Sequence, residues 1–459
     1  MAHFLIAAPH RSSGKTTISI GLAGALSRRA MRVQAFKKGP DYIDPMWLAR
    51  ATGRPAYNLD FNTMNRAEIG TLFATHGGSA DVALIETNMG LFDGLDPAGS
   101  DSNAALAKLL GAPVLLVVDA TGMARGVAPL LQGYAGFDPD LALAGVILNR
   151  VSTPRHEAKL RDAVERYTDL RVLGAVASDP DLAITERHLG LATPGETNRL
   201  DARIDAIVNA ISAGVDLDAI LEVSALAPAI TAPAGGGEVA SSPGRMVRIA
   251  IARDAAFGFY YPDDLAAFER AGAELVAFDS LRDNALPPAD GLFIGGGFPE
   301  TQMAALEANT ALRHDIKTAI AGGMATYAEC GGLMYLCRRI IWRGARHDMV
   351  GAVDADAVMH EKPRGRGYVR LRERAEMPWP GAGRAGAGEI AAHEFHYCGL
   401  ERVGHDDCYG YDVTRGTGID GTHDAIILGN LVAGFAHLRD TEACRWVSRF
   451  VAFVRENSR

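Results

Sequence analysis

The sequence predicts an α/β protein of two domains, each a mainly parallel sheet flanked by helices, and three observations carry that expectation. The chain has 459 residues, too many for one ordinary hydrophobic core, so two domains of roughly 200 residues each are expected. The first half alternates short β-rich runs ("HFLIAA", "RVQAF", "VALIE", "PVLLVVD", "AGVILN") with longer amphipathic stretches such as "ISIGLAGALSRRA" and "HEAKLRDAVERYTDL". That alternation is the pattern of a parallel sheet wrapped by helices. A stretch rich in Pro, Gly, Ala and Ser, "LAPAITAPAGGGEVASSPGR", then interrupts it, after which "MVRIAIARD", "AELVAF", "GLFIGGG" and "GMATYAEC" begin a second alternation. The expected boundaries are a first domain over 1–225, a linker over 226–245 and a second domain over 246–459.

Composition narrows the function classes. Apolar residues make up 48% of the chain, charged residues 22%, and the net charge is −9. This describes a globular protein with no electrostatic footprint for nucleic acid. Cys330, Cys337, Cys398, Cys408 and Cys444 are scattered, with no CxxC pair, so neither a disulfide framework nor a zinc site is expected and a reducing cytoplasm is. The opening "MAHFLIAAPHRSSGKTT" has too brief an apolar run for a membrane span and no signal-peptide pattern, so no membrane association is expected.

The order strand, tight loop, helix in "LIAAPHRSSGKTTISIGL" suits a phosphate-binding loop, with Gly14, Lys15 and Thr16 at the turn into the helix. Backbone N–H groups there attract phosphate, Lys15 reaches the terminal phosphates, and Thr16 supplies an oxygen for Mg²⁺. Pro9 takes the place of the first glycine of the usual pattern. Magnesium beside a triphosphate also needs carboxylates at neighbouring strand ends. "FKKGPDYIDP" after the second strand supplies Lys37, Asp41 and Asp44, and "ALIETNMGLFDG" supplies Glu86 at the end of the third and Asp93 beyond it. In isolation, Asp41 and Asp44 read equally as turn formers.

The second half carries a thiol at a sharp corner. "MATYAECGGLMYL" places Cys330 between a strand and a helix with small residues beside it, the exposed, strained setting that a nucleophilic cysteine requires. "DGLFIGGGFPE" ends a strand in glycines 295–297, where backbone N–H groups can approach an oxyanion. "GNLVAGFAHLRD" ends an apolar run at His437, a candidate base and later acid. "HEFH" at 393–396 lacks the spacing that sets two histidines on one helical face, so it reads as a structural signature and not as a metal site.

In this order, "SSGKTT", "GPDYIDP", "ATGRPAYNLD", "MGLFDG", "LGAPVLLVVDATGMARG", "ILNRV" and "ERHLGL" resemble the ATP-dependent amidoligase domain of the cobyrinate a,c-diamide synthase family, itself related to dethiobiotin synthetase. The elbow, the glycine loop and His437, with "ARDAAFGFYYPDDL" and "HEFHY", resemble the class I type glutamine amidotransferase domain of the same family. The resemblance implies a P-loop NTPase-like fold followed by a flavodoxin-like glutaminase. It implies a carbon–nitrogen ligase in which ATP phosphorylates acetate carboxylates of a tetrapyrrole and ammonia from L-glutamine displaces the phosphate. Carried over position by position, Ser13, Gly14, Lys15, Thr16, Thr17 and Lys37 bind nucleotide, and Thr16, Asp41 and Glu86 hold Mg²⁺. Asp44, Trp47, Leu48 and Asn88 face the acceptor, Cys330 and His437 are catalytic, and Gly296, Gly297 and Gly331 line the oxyanion site. The acid that follows the histidine in many amidotransferases is replaced by Arg439; the family works with a Cys–His pair, and no third member is assigned.

Departures from the family pattern sit in the first domain. "DPMWL" has Leu48 where a histidine is expected, "ETNMGLFDG" has Thr87 and Asn88, and "VASDPDLAITERH" differs from the usual segment. The acceptor is therefore cobyrinate or hydrogenobyrinate, with sirohaem or sirohydrochlorin as the alternative. A different class, a P-loop ATPase switch with a degenerate amidotransferase domain, predicts nucleotide-dependent association without glutaminase activity; the intact Cys330 and His437 oppose it. Nothing in the sequence favours a metabolite sensor. The metal content of the acceptor, the order of amidation, the route of ammonia and the choice between monomer and homodimer stay open.

Overall fold

The computed structural model describes residues 1–184, 186–187, 190–191, 200–230, 244–381, 388–402 and 408–458. Residues 231–243 of the expected linker, and Thr185, His188 and Leu189 of the "ITERHLGL" stretch, lie outside the described residues. The chain divides into two compact units, Met1–Gly236 and Gly237–Arg459.

In the first unit, β1 (Ala2–Ala7), β2 (Val33–Lys38), β3 (Tyr57–Leu59), β4 (Val82–Glu86), β5 (Val114–Asp119), β6 (Leu143–Val151) and β7 (Val172–Ala177) form one sheet in the order β3-β2-β4-β1-β5-β6-β7. Every pairing in it is parallel. Helices α1 (Lys15–Arg28), α2 (Ile43–Thr52), α3 (Arg66–Gly77), α4 (Asn103–Leu110), α5 (Val127–Phe137), α6 (Pro154–Tyr167), α7 (Leu200–Gly214) and α8 (Leu217–Ser224) flank it, beside a short ribbon of β8 (Glu186–Arg187) and β9 (Gly190–Leu191). Helices cover both faces of the sheet, so β1, β4 and β5 are continuous apolar runs, buried nearly throughout. The three-residue β3 is too short to register as an apolar run, and it makes the strand ending in Glu86 the fourth, not the third. The order β2-β4-β1 sets Lys37 opposite Glu86 and Glu86 opposite Ile6. The acid, the lysine and the loop after β1 therefore meet at one edge of the sheet.

The second unit contains β10 (Val247–Ala252), β11 (Phe257–Phe259), α9 (Pro262–Arg270), β12 (Ala273–Phe278), β13 (Gly291–Ile294), β14 (Gly296–Gly297), α10 (Met303–Ala308), α11 (Thr310–Ala321), β15 (Ala325–Glu329) and α12 (Gly331–Leu336). It continues through β16 (Cys337–Trp342), β17 (Ala345–Asp348), β18 (Val353–Met359), β19 (Gly365–Glu373), β20 (Ile390–His396), β21 (Cys398–Arg402), β22 (Cys408–Arg415), β23 (His423–Leu428), β24 (Leu431–Gly434) and α13 (Trp446–Asn457). Its large sheet runs β12-β10-β13-β15-β24-β23-β22-β19-β20. It is parallel from β12 to β24 and continues by antiparallel pairing. An aromatic cluster under the parallel half, including Phe293 stacked on Tyr327 at 5.5 Å and Trp446, fixes β13 and β15 against α13. Among the described residues no helix is long and apolar enough to cross a membrane.

Candidate active sites

In the first unit the chain leaves β1 and turns into α1 through Gly14, which stands at φ +84°. A Cβ at Gly14 would lie 2.2 Å from Asn149 Nδ2, so the turn requires glycine on both conformational and steric grounds. Asn149 Nδ2 donates to the Ser13 carbonyl at 2.9 Å, Ser13 Oγ to the His10 carbonyl at 2.9 Å, and the Tyr134 hydroxyl to the Pro9 carbonyl at 2.9 Å. The loop is thus tied down from three directions before any ligand arrives. Lys15 Nζ donates to the Met89 carbonyl at 2.8 Å, and burial, with Lys37 nearby, lowers its ammonium to about 8. Thr17 is half-buried in the same helical turn.

Lys37 stands amid carboxylates. Its Nζ donates to Asp44 Oδ2 at 2.5 Å and to Glu86 Oε1 at 3.0 Å, with Asp41 Oδ2 at 3.9 Å. Burial alone would lower the lysine, but these carboxylates outweigh it and raise it. Thr16 Oγ1 donates to Glu86 Oε1 at 2.6 Å and to Asp44 Oδ2 at 3.3 Å. Glu86 is fully buried, burial raises its carboxyl, and its Oε2 has no hydrogen-bond partner. A buried, unpartnered carboxylate oxygen beside a threonine hydroxyl at the mouth of a phosphate loop fits a hard divalent cation such as Mg²⁺. Among the described residues no group of three or more His, Cys, Asp or Glu could hold a metal by itself. That agrees with a site that phosphate oxygens and water must complete.

Several expected residues fall elsewhere. Asp41 Oδ1 accepts the backbone N–H groups of Ile43 and Asp44, at 2.9 and 3.0 Å. It caps the start of α2, the turn-former role weighed for it, and burial followed by the neighbouring Asp44 carboxylate raises it to about 7. Asp44, expected to face the acceptor, instead joins Thr16 and Glu86 around Lys37. Trp47 and Leu48 were expected at the acceptor too, yet both have no accessible surface. Helical periodicity turns them, with Ile43, onto the inner face of α2, so they are packing residues. Thr87 is buried with its hydroxyl on the Ile6 carbonyl at 2.9 Å. Asn88 is half-buried, and its carbonyl accepts from Asn103 Nδ2 at 2.7 Å.

In the second unit, Cys330 sits between β15 and α12 at φ +48°, ψ −101°. Its N–H donates to the Gly434 carbonyl at 2.7 Å, and its own carbonyl accepts from Met334. The left-handed backbone of a non-glycine residue is a strained feature held by its surroundings, as at a nucleophile elbow. Gly296 and Gly297 form the short strand β14, paired with β11. A Cβ at Gly297 would stand 1.9 Å from the Ala256 carbonyl oxygen, and one at Gly296 would stand 2.5 Å from His437 Cε1. The position a Cβ would take at Gly331 is 3.0 Å from the Gly297 nitrogen. The three glycines expected at the oxyanion site therefore come together beside the base.

His437 hydrogen-bonds the Cys330 thiol and also Glu329, through Nδ1 to Oε2 at 3.3 Å. Burial would lower the imidazole, but the cysteine and the glutamate raise it to about 10. Glu329 Oε1 accepts from the Tyr327 hydroxyl at 2.7 Å and from the Leu438 N–H at 3.1 Å. This corrects the expectation of a bare Cys–His pair, because an acid does stand behind the histidine. It comes from the residue before the nucleophile. Parallel pairing sets Glu329 opposite Gly434, and the Asp424 carboxylate accepts the N–H groups of Phe435 and Ala436, so the chain turns His437 back onto Glu329. The sequence signal was a single acid ending an otherwise apolar strand. Position 439 is held by a structural pair: Arg439 is buried, donates to Asp263 at 2.9 Å and lies 4.8 Å over the Tyr261 ring. "HEFH" backs the site, with the His393 ring stacked on His437 at 4.8 Å and Glu394 accepting the N–H groups of Thr417 and Gly418. Burial, with His437 and Arg439 close by, lowers His393 far below the usual histidine range.

Comparison with known proteins agrees with this division. Residues 4–191 match the family described as the CobQ/CobB/MinD/ParA nucleotide binding domain, and residues 248–441 match the CobB/CobQ-like glutamine amidotransferase domain. A cobyrinate a,c-diamide synthase of Magnetococcus marinus is 45% identical over 98% of this chain and 97% of its own length. Its counterpart in Methanosarcina acetivorans is 39% identical over 95% of this chain and 91% of its own, and that of Listeria innocua 40% identical over 87% and 88%. With relatives this similar over nearly its whole length, the chain belongs to the cobyrinate a,c-diamide synthase family of glutamine-dependent amide ligases.

Proposed function

We propose that this protein converts the a- and c-acetate carboxylates of cobyrinate to amides, using ATP and glutamine. The observation that carries the proposal is that one chain holds both a buried Cys330–His437–Glu329 arrangement and a phosphate loop whose Thr16 bonds the orphaned Glu86. The first is built to release ammonia and the second to activate an acid. In the glutaminase half, the Cys330 thiolate attacks the side-chain amide carbon of glutamine. The resulting oxyanion lies toward the N–H groups around Gly296, Gly297 and Gly331, and His437 gives its proton to the departing ammonia. Water, deprotonated by His437, then cleaves the thioester to glutamate and returns the thiol.

In the other half the acceptor carboxylate is a poor electrophile because attack adds a second negative charge to it. Transfer of the γ-phosphoryl group makes an acyl phosphate and ADP; ammonia then displaces phosphate to leave the amide. Lys15 and Lys37 offset charge on the phosphoryl group in flight. Thr16, Glu86 and Asp44 would hold Mg²⁺, which supplies electrostatic stabilisation of the phosphate oxygens when bound. Asp41 orients Asp44 by capping α2.

The test is to incubate the protein with ATP, Mg²⁺, glutamine and, in separate arms, cobyrinate, hydrogenobyrinate, sirohydrochlorin or sirohaem, and to follow mass. One or two amide substitutions on cobyrinate are expected. Turnover of sirohaem or sirohydrochlorin alone would overturn the acceptor. With ¹⁸O in the acceptor carboxylate, one label must appear in the released phosphate; its absence would sink the acyl phosphate.

A further inference from the structure

Lys38, the neighbour of Lys37, has no part in the chemistry above. Successive residues of a strand point to opposite faces. Lys37 turns toward Thr16, Asp44 and Glu86, whereas Lys38 lies beside Phe61, its Nζ 6.0 Å from the ring centroid. Lys38 is only 6% exposed, and among the described residues its ammonium makes neither a hydrogen bond nor an ion pair. A buried cation without a partner costs several kcal/mol of solvation, so a nearly enclosed lysine of this kind needs an explanation. The nearest acids do not supply one. Asp60 spends its oxygens on the Asn62 N–H and the Thr63 hydroxyl, and Asp101 on the N–H groups of Leu95 and Asp96. Arg66 adds a second cation, with its guanidinium 5.4 Å from the Phe61 centroid and a bond to the Ser100 carbonyl at 3.2 Å. The cluster is cationic and aromatic, one residue along β2 from the phosphoryl site.

We infer that Lys38, beside Phe61 and Arg66, is an anchor for a second, non-reacting carboxylate of the acceptor, holding a polycarboxylate ring so that another of its acid arms reaches the phosphoryl site. The inference rests on the proposed amidation of a tetrapyrrole acid. Nucleotide phosphate is the poorer occupant, because the phosphate loop and Lys15 gather on the Lys37 side of β2. An apolar ring with acidic arms matches the aromatic face and the two cations together.

The experiment compares wild-type, Lys38→Met and Lys38→Arg by direct titration of cobyrinate, followed by its visible absorbance, and by steady-state kinetics. Loss of one charged contact should raise Kd and KM for cobyrinate by roughly 10- to 100-fold. The kcat at saturating acceptor, the KM for ATP and glutaminase activity should stay within about twofold, and Lys38→Arg should recover part of the affinity. A cobyrinate ester lacking the anchored carboxylate should bind the wild type weakly and lose nothing further in Lys38→Met. If both variants bind cobyrinate as the wild type does, or if KM for ATP and the thermal midpoint fall out of line with KM for the acceptor, the lysine is structural and the inference fails. Wild-type protein that neither binds nor amidates cobyrinate overturns the proposed function itself, a result distinct from a wild type that amidates normally beside an unaffected Lys38→Met.

Discussion

The clusters around Lys37 and Cys330 are both buried, yet they meet burial in opposite ways. Around Lys37 the charges neutralise each other: an ammonium sits between Asp44 and Glu86, and one Glu86 oxygen is left without a partner. The arrangement is poised for a polyanion and a cation to be inserted. Around Cys330 the chain supplies every group itself, from Tyr327 through Glu329 and His437 to the thiol. The lesson is that covalent chemistry can be assembled from side chains alone, whereas phosphoryl transfer leaves a deliberate gap for its ligands.

That contrast can be broken or sharpened by substitution. Cys330→Ser should have the largest effect, lowering glutamine-dependent amidation by roughly three orders of magnitude or more while amidation with added ammonium salt persists. Loss of both activities would show that the two sites are not separable. Glu86→Ala should lower amidation with either nitrogen source by about 10²- to 10³-fold and leave glutamine hydrolysis measurable; a drop confined to the glutamine-driven reaction would contradict its assignment.

Glu329→Gln should reduce glutamine hydrolysis by about 10²-fold through kcat, with KM for glutamine little changed. Its distinguishing readout is the His437 titration by NMR. The imidazole, raised to about 10 by Cys330 and Glu329, should titrate lower in the variant. The sign follows from linkage: a histidine raised in the folded state adds stability that is complete below its unfolded value of about 6.5 and is lost as pH rises through about 10. The stability gap between wild type and Glu329→Gln should therefore close across that window, and a pH-independent gap would reduce Glu329 to a packing role. The smallest catalytic effect belongs to Leu48→Ala. It should cost about 2–5 kcal/mol of stability, seen by denaturant unfolding, yet leave KM for the acceptor unchanged. A selective rise in that KM would restore Leu48 to the acceptor site.

Legibility followed the range of the interaction. Gly14, Lys15 and Thr16 are adjacent in the chain, and Cys330 lies between a strand and two glycines, so local pattern alone announced a phosphate loop and an elbow. Glu329 was adjacent as well, but its role depends on a partner 108 residues away. Trp47 and Leu48 misled because motif position does not reveal which helical face is inward. Lys38 looked like a duplicate of Lys37 until strand alternation separated them.

The sequence by itself determined that two α/β units carry an ATP site and a glutaminase site, because strand and helix periodicity and tight-turn chemistry act over a few residues. Only the tertiary structure decided that Asp44 joins Glu86 at Lys37, that Glu329 stands behind His437, and that Lys38 is enclosed without a partner. Those outcomes depend on which strands lie side by side and in what register, and on desolvation by distant chain, neither of which a local pattern encodes.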